Sequence, residues 1–130
     1  MPYDVSFELP LAADASRAAR HAVDALPLHD HEHDEVVFNV RLLVADLVQN
    51  CLREAGRGSV DPITLGLRVG DGVLRVDVTD CSPYSGRPSV DRPARAAGRG
   101  LHLVDALADR WGTQPAPDKR GWLVWFEFDL

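Results

Sequence analysis

The chain has 130 residues, of which 45% are hydrophobic, and a formal net charge of −6. Its length predicts one compact domain, residues 1–130, with a single hydrophobic core. The negative charge argues against a general nucleic-acid or anionic-membrane surface and leaves small molecules and proteins as partners. The first ten residues lack the features of a signal peptide, and no apolar run reaches the roughly 18 residues that a membrane span requires. We therefore expect a cytoplasmic protein.

The N-terminal half predicts one strand and two helices. YDVSFELPL alternates between apolar and polar residues as far as Pro10, which is typical of a half-buried strand. DASRAARHAVDAL is Ala-rich with helical spacing and ends before Pro27. From roughly Glu35 to Ala55, apolar residues recur at spacings of three and four. This spacing predicts a long amphipathic helix that ends at Gly56 and Gly58.

The C-terminal half predicts a hairpin, a long loop, a helix and a closing strand. ITLGLRV and VLRVDVTD both alternate and are joined by GDG, so residues 63–80 are expected to form a β-hairpin. Residues 81–99 are rich in Pro, Gly, Ser and Arg, which predicts a long loop, and long loops within compact domains are usually functional. LHLVDALADRWG has helical spacing that includes Trp111, and WLVWFEFDL predicts the last strand.

This order of elements favours an α+β fold. We expect a two-layer sandwich in which about three helices cover one face of a mainly antiparallel, mixed sheet.

The long helix carries two polar residues on an otherwise apolar face. Asp46 and Asn50 are four residues apart among Leu43, Leu47 and Cys51, so their side chains share one face. Asn50 offers a neutral oxygen suited to Mg²⁺, and Asp46 can accept a proton from an attacking hydroxyl or water. Taken alone, the pair is also compatible with a solvated stripe on a helix.

Two further segments extend this pattern. If alternate residues from Leu74 onward face the core, the period of two turns Asp80 inward, where a purine amino group is a candidate partner. Gly98 and Gly100 precede a helix, where open backbone amides and the helix dipole suit a phosphate. Asp80 is also compatible with a strand end, and the glycines with an ordinary lead-in to a helix. Together the three segments indicate one site for ATP and magnesium.

The same segments resemble the GHKL ATPase superfamily, whose fold is the sandwich described above. LLVADLVQNCLREA resembles its N box, VDVTDCSP its first glycine-box region, and GRGLHLVDALADRWG with the terminal VWFEF its second box and closing strand. The resemblance covers about residues 5–130 and points to the small anti-sigma factor serine/threonine kinases. In that branch a separate anti-anti-sigma factor is phosphorylated on Ser or Thr, and its unphosphorylated form releases the sigma factor from the kinase.

The resemblance implies roles for individual residues. Asn50 becomes the magnesium ligand, Asp80 the adenine-binding carboxylate, and Asp46 stands where the family usually has the catalytic Glu. Residues 81–99 become the ATP lid region, and Leu123 takes a position where many members have a Thr near the nucleotide. The remaining residues implied for the ATP pocket are Arg53, Ser82, Gly98, Arg99, Gly100 and Leu101.

The function implied is that of an ATP-binding regulator that sequesters a sigma factor and phosphorylates an anti-anti-sigma partner. ATP and Mg²⁺ are the expected cofactors, a homodimer is a possible assembly, and no direct contact with nucleic acid or membrane is expected. The alternative is a non-catalytic nucleotide-binding or protein-interaction module that has lost efficient phosphotransfer, because Asp46 is shorter than Glu. A two-component histidine kinase ranks last, since the helix that carries His21 is too short for a phosphoacceptor helix.

Two other groups of residues carry weaker signals. His29, His31 and His33 alternate with acids, and a polar loop is favoured over a transition-metal site because no third element of such a site is visible. Cys51 and Cys81 directly follow Asn50 and Asp80. They are expected to be reduced thiols, with a redox switch as the less favoured alternative.

Overall fold

The computed structural model describes residues 2–10, 12–55, 62–80, 101–117 and 121–130. A turn of 3₁₀ helix, His31–His33, leads directly into the second α-helix. The described elements are, in chain order, β1 Tyr3–Leu9, α1 Ala15–Asp24, α2 Asp34–Ala55, β2 Ile63–Gly70, β3 Val73–Asp80, α3 His102–Leu107, β4 Arg110–Pro115 and β5 Trp122–Asp129.

The strands form one five-stranded sheet in the order β1-β2-β3-β5-β4. Every pairing among the described strands is antiparallel, so this part of the sheet is not mixed. The β2–β3 hairpin turns at Asp71 and Gly72, whose φ angles are 53° and 75°. Positive φ at both turn residues matches the twist of the flanking strands, which explains why Asp-Gly closes the predicted hairpin.

The helices cover one face of the sheet and enclose the core. Helix α1 packs on β1 and α2, α2 packs on β3 and α3, and α3 packs on β4. The inward residues of the strands alternate with outward ones, as the sequence periodicity predicts. The predicted α+β fold is therefore confirmed. The buried strand residues that face the helices include Leu65, Leu67, Leu74, Val76, Val78, Val124, Phe126 and Phe128.

The prediction for residues 101–112 is only partly right. Helix α3 ends at Leu107, and Ala108 is extended, with φ −76° and ψ 148°. Trp111 lies on β4, opposite Phe126 of β5, rather than on a helix. The four-residue spacing from Leu107 to Trp111 imitates a helix, whereas the free edge of β5 offers a full ladder of backbone hydrogen bonds to β4. Trp111 Nε1 also donates to Asp105 Oδ1 at 3.0 Å, which ties β4 back to α3.

Several predictions concern residues outside the described ranges. These are the end of the long helix at Gly56 and Gly58 and the loop at residues 81–99. Across the portion of the chain that is described, no helix has both the length and the apolar character of a membrane span.

Candidate functional site

The polar pair of α2 lies in strongly apolar surroundings. Asn50 is 4% exposed, and its neighbours Leu47 and Cys51 are 0% and 1% exposed. Within the described residues, Asn50 Oδ1 is buried and has no hydrogen-bond partner. Leaving a buried acceptor unpaired costs about 1–3 kcal/mol, so folds rarely retain one without a reason. An oxygen in this condition suits a ligand that supplies positive charge or a proton donor.

Asp46 lies one turn before Asn50 and is half-buried. Burial raises the pKa of its carboxyl group above the ordinary value, and the positive charge of Arg53 opposes this by lowering the same pKa. Arg53 is exposed and follows Asp46 by two helical turns. A carboxylate with a raised pKa is a stronger proton acceptor, which is the property that a general base requires.

The end of β3 carries the second acid of the candidate site. Asp80 is 4% exposed and follows Val78 on the face that the helices cover, as the strand period predicts. Directly opposite Asp80 in the β3–β5 register lies Trp122, so an aromatic side chain shares the inner face with this carboxylate. No motif singles out Trp122, although its alternation with Val124 and Phe126 places it on the inner face.

The core connects the three predicted segments. Leu47 and Cys51 of α2, Val78 of β3 and Leu101 before α3 all belong to one buried cluster. Leu101 is 0% exposed. Residues on the same faces as Asn50 and Asp80 therefore pack in the same core as the residue that precedes α3. Ser82, Gly98, Arg99 and Gly100 lie outside the described residues.

Leu123 lies on the other face of the sheet. It is opposite Thr79 in the register, whereas Asp80 and Val124 belong to the inner set. In this register Leu123 therefore lies on the face opposite to Asp80. It does not lie where the resemblance expects a Thr near the nucleotide. Successive residues of a strand lie on alternate sides, so an offset of one position in the motif comparison replaces Leu123 by Trp122 or Val124, which both lie on the inner face.

Comparison with known proteins identifies the family of this chain. The profile of the histidine kinase-like ATPase domain matches residues 9–126. The chain belongs to this family. No curated protein matches the sequence of this histidine kinase-like ATPase domain.

A solved structure shares the fold of this domain. It is the crystal structure of the RsbU and RsbW domains of Rv1364c from Mycobacterium tuberculosis, with a TM-score of 0.72 and 16% sequence identity. The match covers 98% of the present chain and 32% of the other, so the domain is similar to about a third of that protein.

A histidine kinase-like ATPase domain implies nucleotide binding, usually with Mg²⁺. The described residues fit such a ligand. The unpaired Oδ1 of Asn50 is a hard neutral oxygen, and Mg²⁺ prefers oxygen ligands and retains several waters. The buried Asp80 carboxylate offers acceptors for an amino group at the edge of a base.

Proposed function

We propose that this domain binds ATP with Mg²⁺, phosphorylates an anti-anti-sigma partner on Ser or Thr, and sequesters a sigma factor. Membership in the histidine kinase-like ATPase family supports the nucleotide, and the motif resemblance supports the branch. The observation that carries the proposal is the unpaired, buried Oδ1 of Asn50, one turn from a carboxylate whose pKa is raised. The unpaired oxygen lowers the stability of the ligand-free fold, which is typical of residues that serve binding or catalysis.

In this proposal each side chain has one task. Asn50 Oδ1 ligates Mg²⁺, which neutralises charge on the phosphates, and Asp80 accepts a hydrogen bond from the adenine amino group. Asp46 accepts the proton of the Ser or Thr hydroxyl, while the charge of Arg53 favours its ionised form and partly offsets the effect of burial. The phosphate side is assigned to the segment from Gly98 to Leu101, and Ser82 to the loop beside the base.

The second candidate function is a nucleotide-binding module without efficient transfer. The observation that favours it is Asp46 itself, because the side chain is one methylene shorter than Glu. A displacement of about 1 Å between a base and its proton can cost on the order of a hundredfold in rate. The two candidates share the nucleotide site and differ in whether the phosphoryl group is transferred.

Nucleotide binding is tested by calorimetric titration with ATP and Mg²⁺. Wild type is expected to bind, and Asp80→Asn is expected to lose most of its affinity because an amide NH₂ replaces an acceptor oxygen. Asp77→Asn is the matched control, since Asp77 lies on the same strand but on the opposite face. Thermal unfolding of each variant verifies that it is folded. Failure of wild type to bind, or equal loss in both variants, contradicts the proposal.

Phosphotransfer is tested by mass spectrometry of a small anti-anti-sigma protein after incubation with ATP and Mg²⁺. We expect slow phosphorylation by wild type, an increase for Asp46→Glu on the order of tenfold or more, and none for Asp46→Asn. Absence of transfer by wild type and Asp46→Glu, with ATP binding intact, establishes the binding module instead. A mobility shift with the cognate sigma factor tests sequestration separately.

A further inference from the structure

A cluster of metal-ligating groups lies at the opposite end of α2 from Asp46 and Asn50. The 3₁₀ turn His31–His33 precedes α2, and Asp30 is the residue directly before this turn. The ligand atoms of Asp30, Glu32 and His33 all lie within 4.8 Å of one another. The set joins one imidazole to two carboxylates, which is a mixed donor set rather than a purely acidic one.

The backbone brings these groups together. The amide of His33 donates to the carbonyl oxygen of Asp30 at 2.9 Å, which closes the 3₁₀ turn. Asp30 precedes the 3₁₀ helix with extended backbone, φ −76° and ψ 144°, and the turn folds back so that a carboxylate oxygen of Asp30 lies within 4.8 Å of the ligand atom of His33. Glu32 approaches from the adjacent position, with its Oε1 3.6 Å from Nε2 of His33. All three donors come from one turn, so the site needs no third element of the kind that the sequence pattern lacked.

The burial of the donors suits a site that can close around an ion. The side chain of His33 is 18% exposed and is thus held in place, whereas that of Glu32 is 74% exposed and free to adjust. Donors around a tetrahedral zinc ion are separated by about 3.4 Å, given metal–ligand distances of about 2.0–2.2 Å. Rotation of the exposed carboxylates covers the remaining difference.

We propose that Asp30, Glu32 and His33 bind one divalent transition-metal ion, with Zn²⁺ as the best match. The imidazole nitrogen favours Zn²⁺ over Mg²⁺, which prefers oxygen ligands in octahedral geometry. Three protein donors leave a coordination position for water or for a ligand from a partner protein. The site is separate from the proposed nucleotide site, and it does not depend on ATP binding.

The test is a titration of the full chain with Zn²⁺ alone, without nucleotide, by calorimetry and by competition with a chelating dye. Wild type is expected to bind one Zn²⁺ per chain. His33→Gln and the double variant D30N/E32Q should each weaken binding by more than about tenfold, because each removes direct ligands. Excess Mg²⁺ should not displace the ion.

Matched controls make the same chemical changes elsewhere on the surface. His21→Gln removes another exposed histidine, and E8Q/D14N removes two other exposed acids. These controls should bind as wild type does, and circular dichroism should show that all variants are folded. The absence of saturable binding by wild type overturns the proposal. Undiminished binding by His33→Gln or by D30N/E32Q also overturns it, since the ion would then be held by other donors.

Discussion

The two faces of the sheet accommodate polar groups in opposite ways. On the inner face, Asp80 is 4% exposed among apolar side chains, and Asn50 lies above the same core with an unpaired oxygen. On the outer face, polar groups pair with one another. Arg75 lies 4.5 Å from the ring centroid of Trp125 and 3.5 Å from Glu127. The outer face thus pairs its polar groups with one another, whereas Asn50 Oδ1 above the inner face has no hydrogen-bond partner among the described residues.

The ion pairs of the outer face continue from β5 to β4. Arg110 is 2.9 Å from Glu127 and 2.6 Å from Asp129. Its hydrogen bonds lower the pKa of both carboxyl groups. Each of these carboxylates therefore stabilises the fold fully when the pH is above its ordinary pKa. This stabilisation is lost as the pH falls through the lowered pKa of the folded state. The contribution is small, because Arg110 and Asp129 are exposed and Glu127 is only partly buried, so that water and salt screen the charges.

The comparison shows that a perturbed pKa does not by itself identify a site. Burial raises the pKa of Asp77 on the outer face just as it raises that of Asp46 on α2, and an arginine opposes the shift in each case. Asp77 lies over Gly66, where an added Cβ would come within 2.7 Å of its oxygens. The distinguishing feature of α2 is the unpaired oxygen of Asn50, since it calls for a partner that the described protein atoms do not supply.

The largest expected effect is a loss of stability when a buried ring of the inner face is removed, compared with removal of its neighbour on the outer face. Phe126 is 0% exposed and contacts Phe128 edge-to-face, with ring centroids 5.9 Å apart. Phe126→Ala is expected to lower the free energy of unfolding by about 3–5 kcal/mol. Trp125→Ala, on the half-exposed outer face, should cost about 1–2 kcal/mol from lost burial and cation–π contact. Urea denaturation measures both. Equal costs would mean that the two faces are equally buried in solution.

The second prediction concerns the unpaired oxygen directly. Asn50→Leu replaces it with an apolar group of similar shape, so the ligand-free protein should gain about 1 kcal/mol of stability. The same change should weaken the binding of ATP with Mg²⁺ by about a hundredfold, or about 2.7 kcal/mol. Chemical denaturation without nucleotide and calorimetry with it separate the two effects. A loss of stability together with unchanged affinity would show that the oxygen serves the fold and not a ligand.

A third effect tests the packing of the outer face. A Cβ at Gly112 would lie 2.7 Å from Nε1 of Trp125, whereas a Cβ at Gly70 would meet only Pro2 Cβ, at 4.0 Å. Gly112→Ala is therefore expected to cost about 1–3 kcal/mol, and Gly70→Ala close to nothing. Thermal unfolding of both variants provides the measurement. A neutral Gly112→Ala would indicate that the indole moves away from this position in solution.

Local pattern and register made much of the fold predictable. The alternation in β1 and the hairpin, together with Asp71 and Gly72 at the turn, specified three strands and their inward faces. Strand period also placed Asp80 inward. The edge strand β4 escaped prediction because Trp111 satisfies helical spacing from Leu107, and only the free edge of β5 determines that the segment is a strand. The pairing of two separate segments leaves no local pattern in the sequence of either one.

The candidate site was predictable only in part. The four-residue spacing of Asp46 and Asn50 indicates a shared face, but the unpaired state of Asn50 Oδ1 depends on what packs around it. The side on which Leu123 lies depends on the β3–β5 register, which a comparison of motifs can miss by one residue. The grouping of Asp30, Glu32 and His33 required the 3₁₀ turn, since no periodicity distinguishes that turn from a polar loop.

The last prediction concerns the charge that offsets burial at Asp46. Arg53→Gln removes a positive charge that lowers the pKa of Asp46, so this pKa should rise further. The acid limb of the phosphotransfer rate should then move to higher pH, because the ionised carboxylate acts as the base. For stability the sign is the reverse of the usual carboxylate case. Because the pKa of Asp46 is higher in the folded state than in the unfolded state, the free energy of unfolding falls as the pH rises from the unfolded to the folded value. In Arg53→Gln this fall should extend to higher pH.

Nuclear magnetic resonance titration of the Asp46 carboxyl carbon measures the shift of its pKa whether or not the protein transfers phosphate. Added salt should move the pKa of the wild type in the same direction as the substitution, since Arg53 is exposed and its field is screened. Arg17→Gln, on an exposed position of α1, is the matched control and should leave the titration unchanged. If the two variants titrate alike, burial alone raises the pKa of Asp46, and the charge of Arg53 has no measurable effect on it.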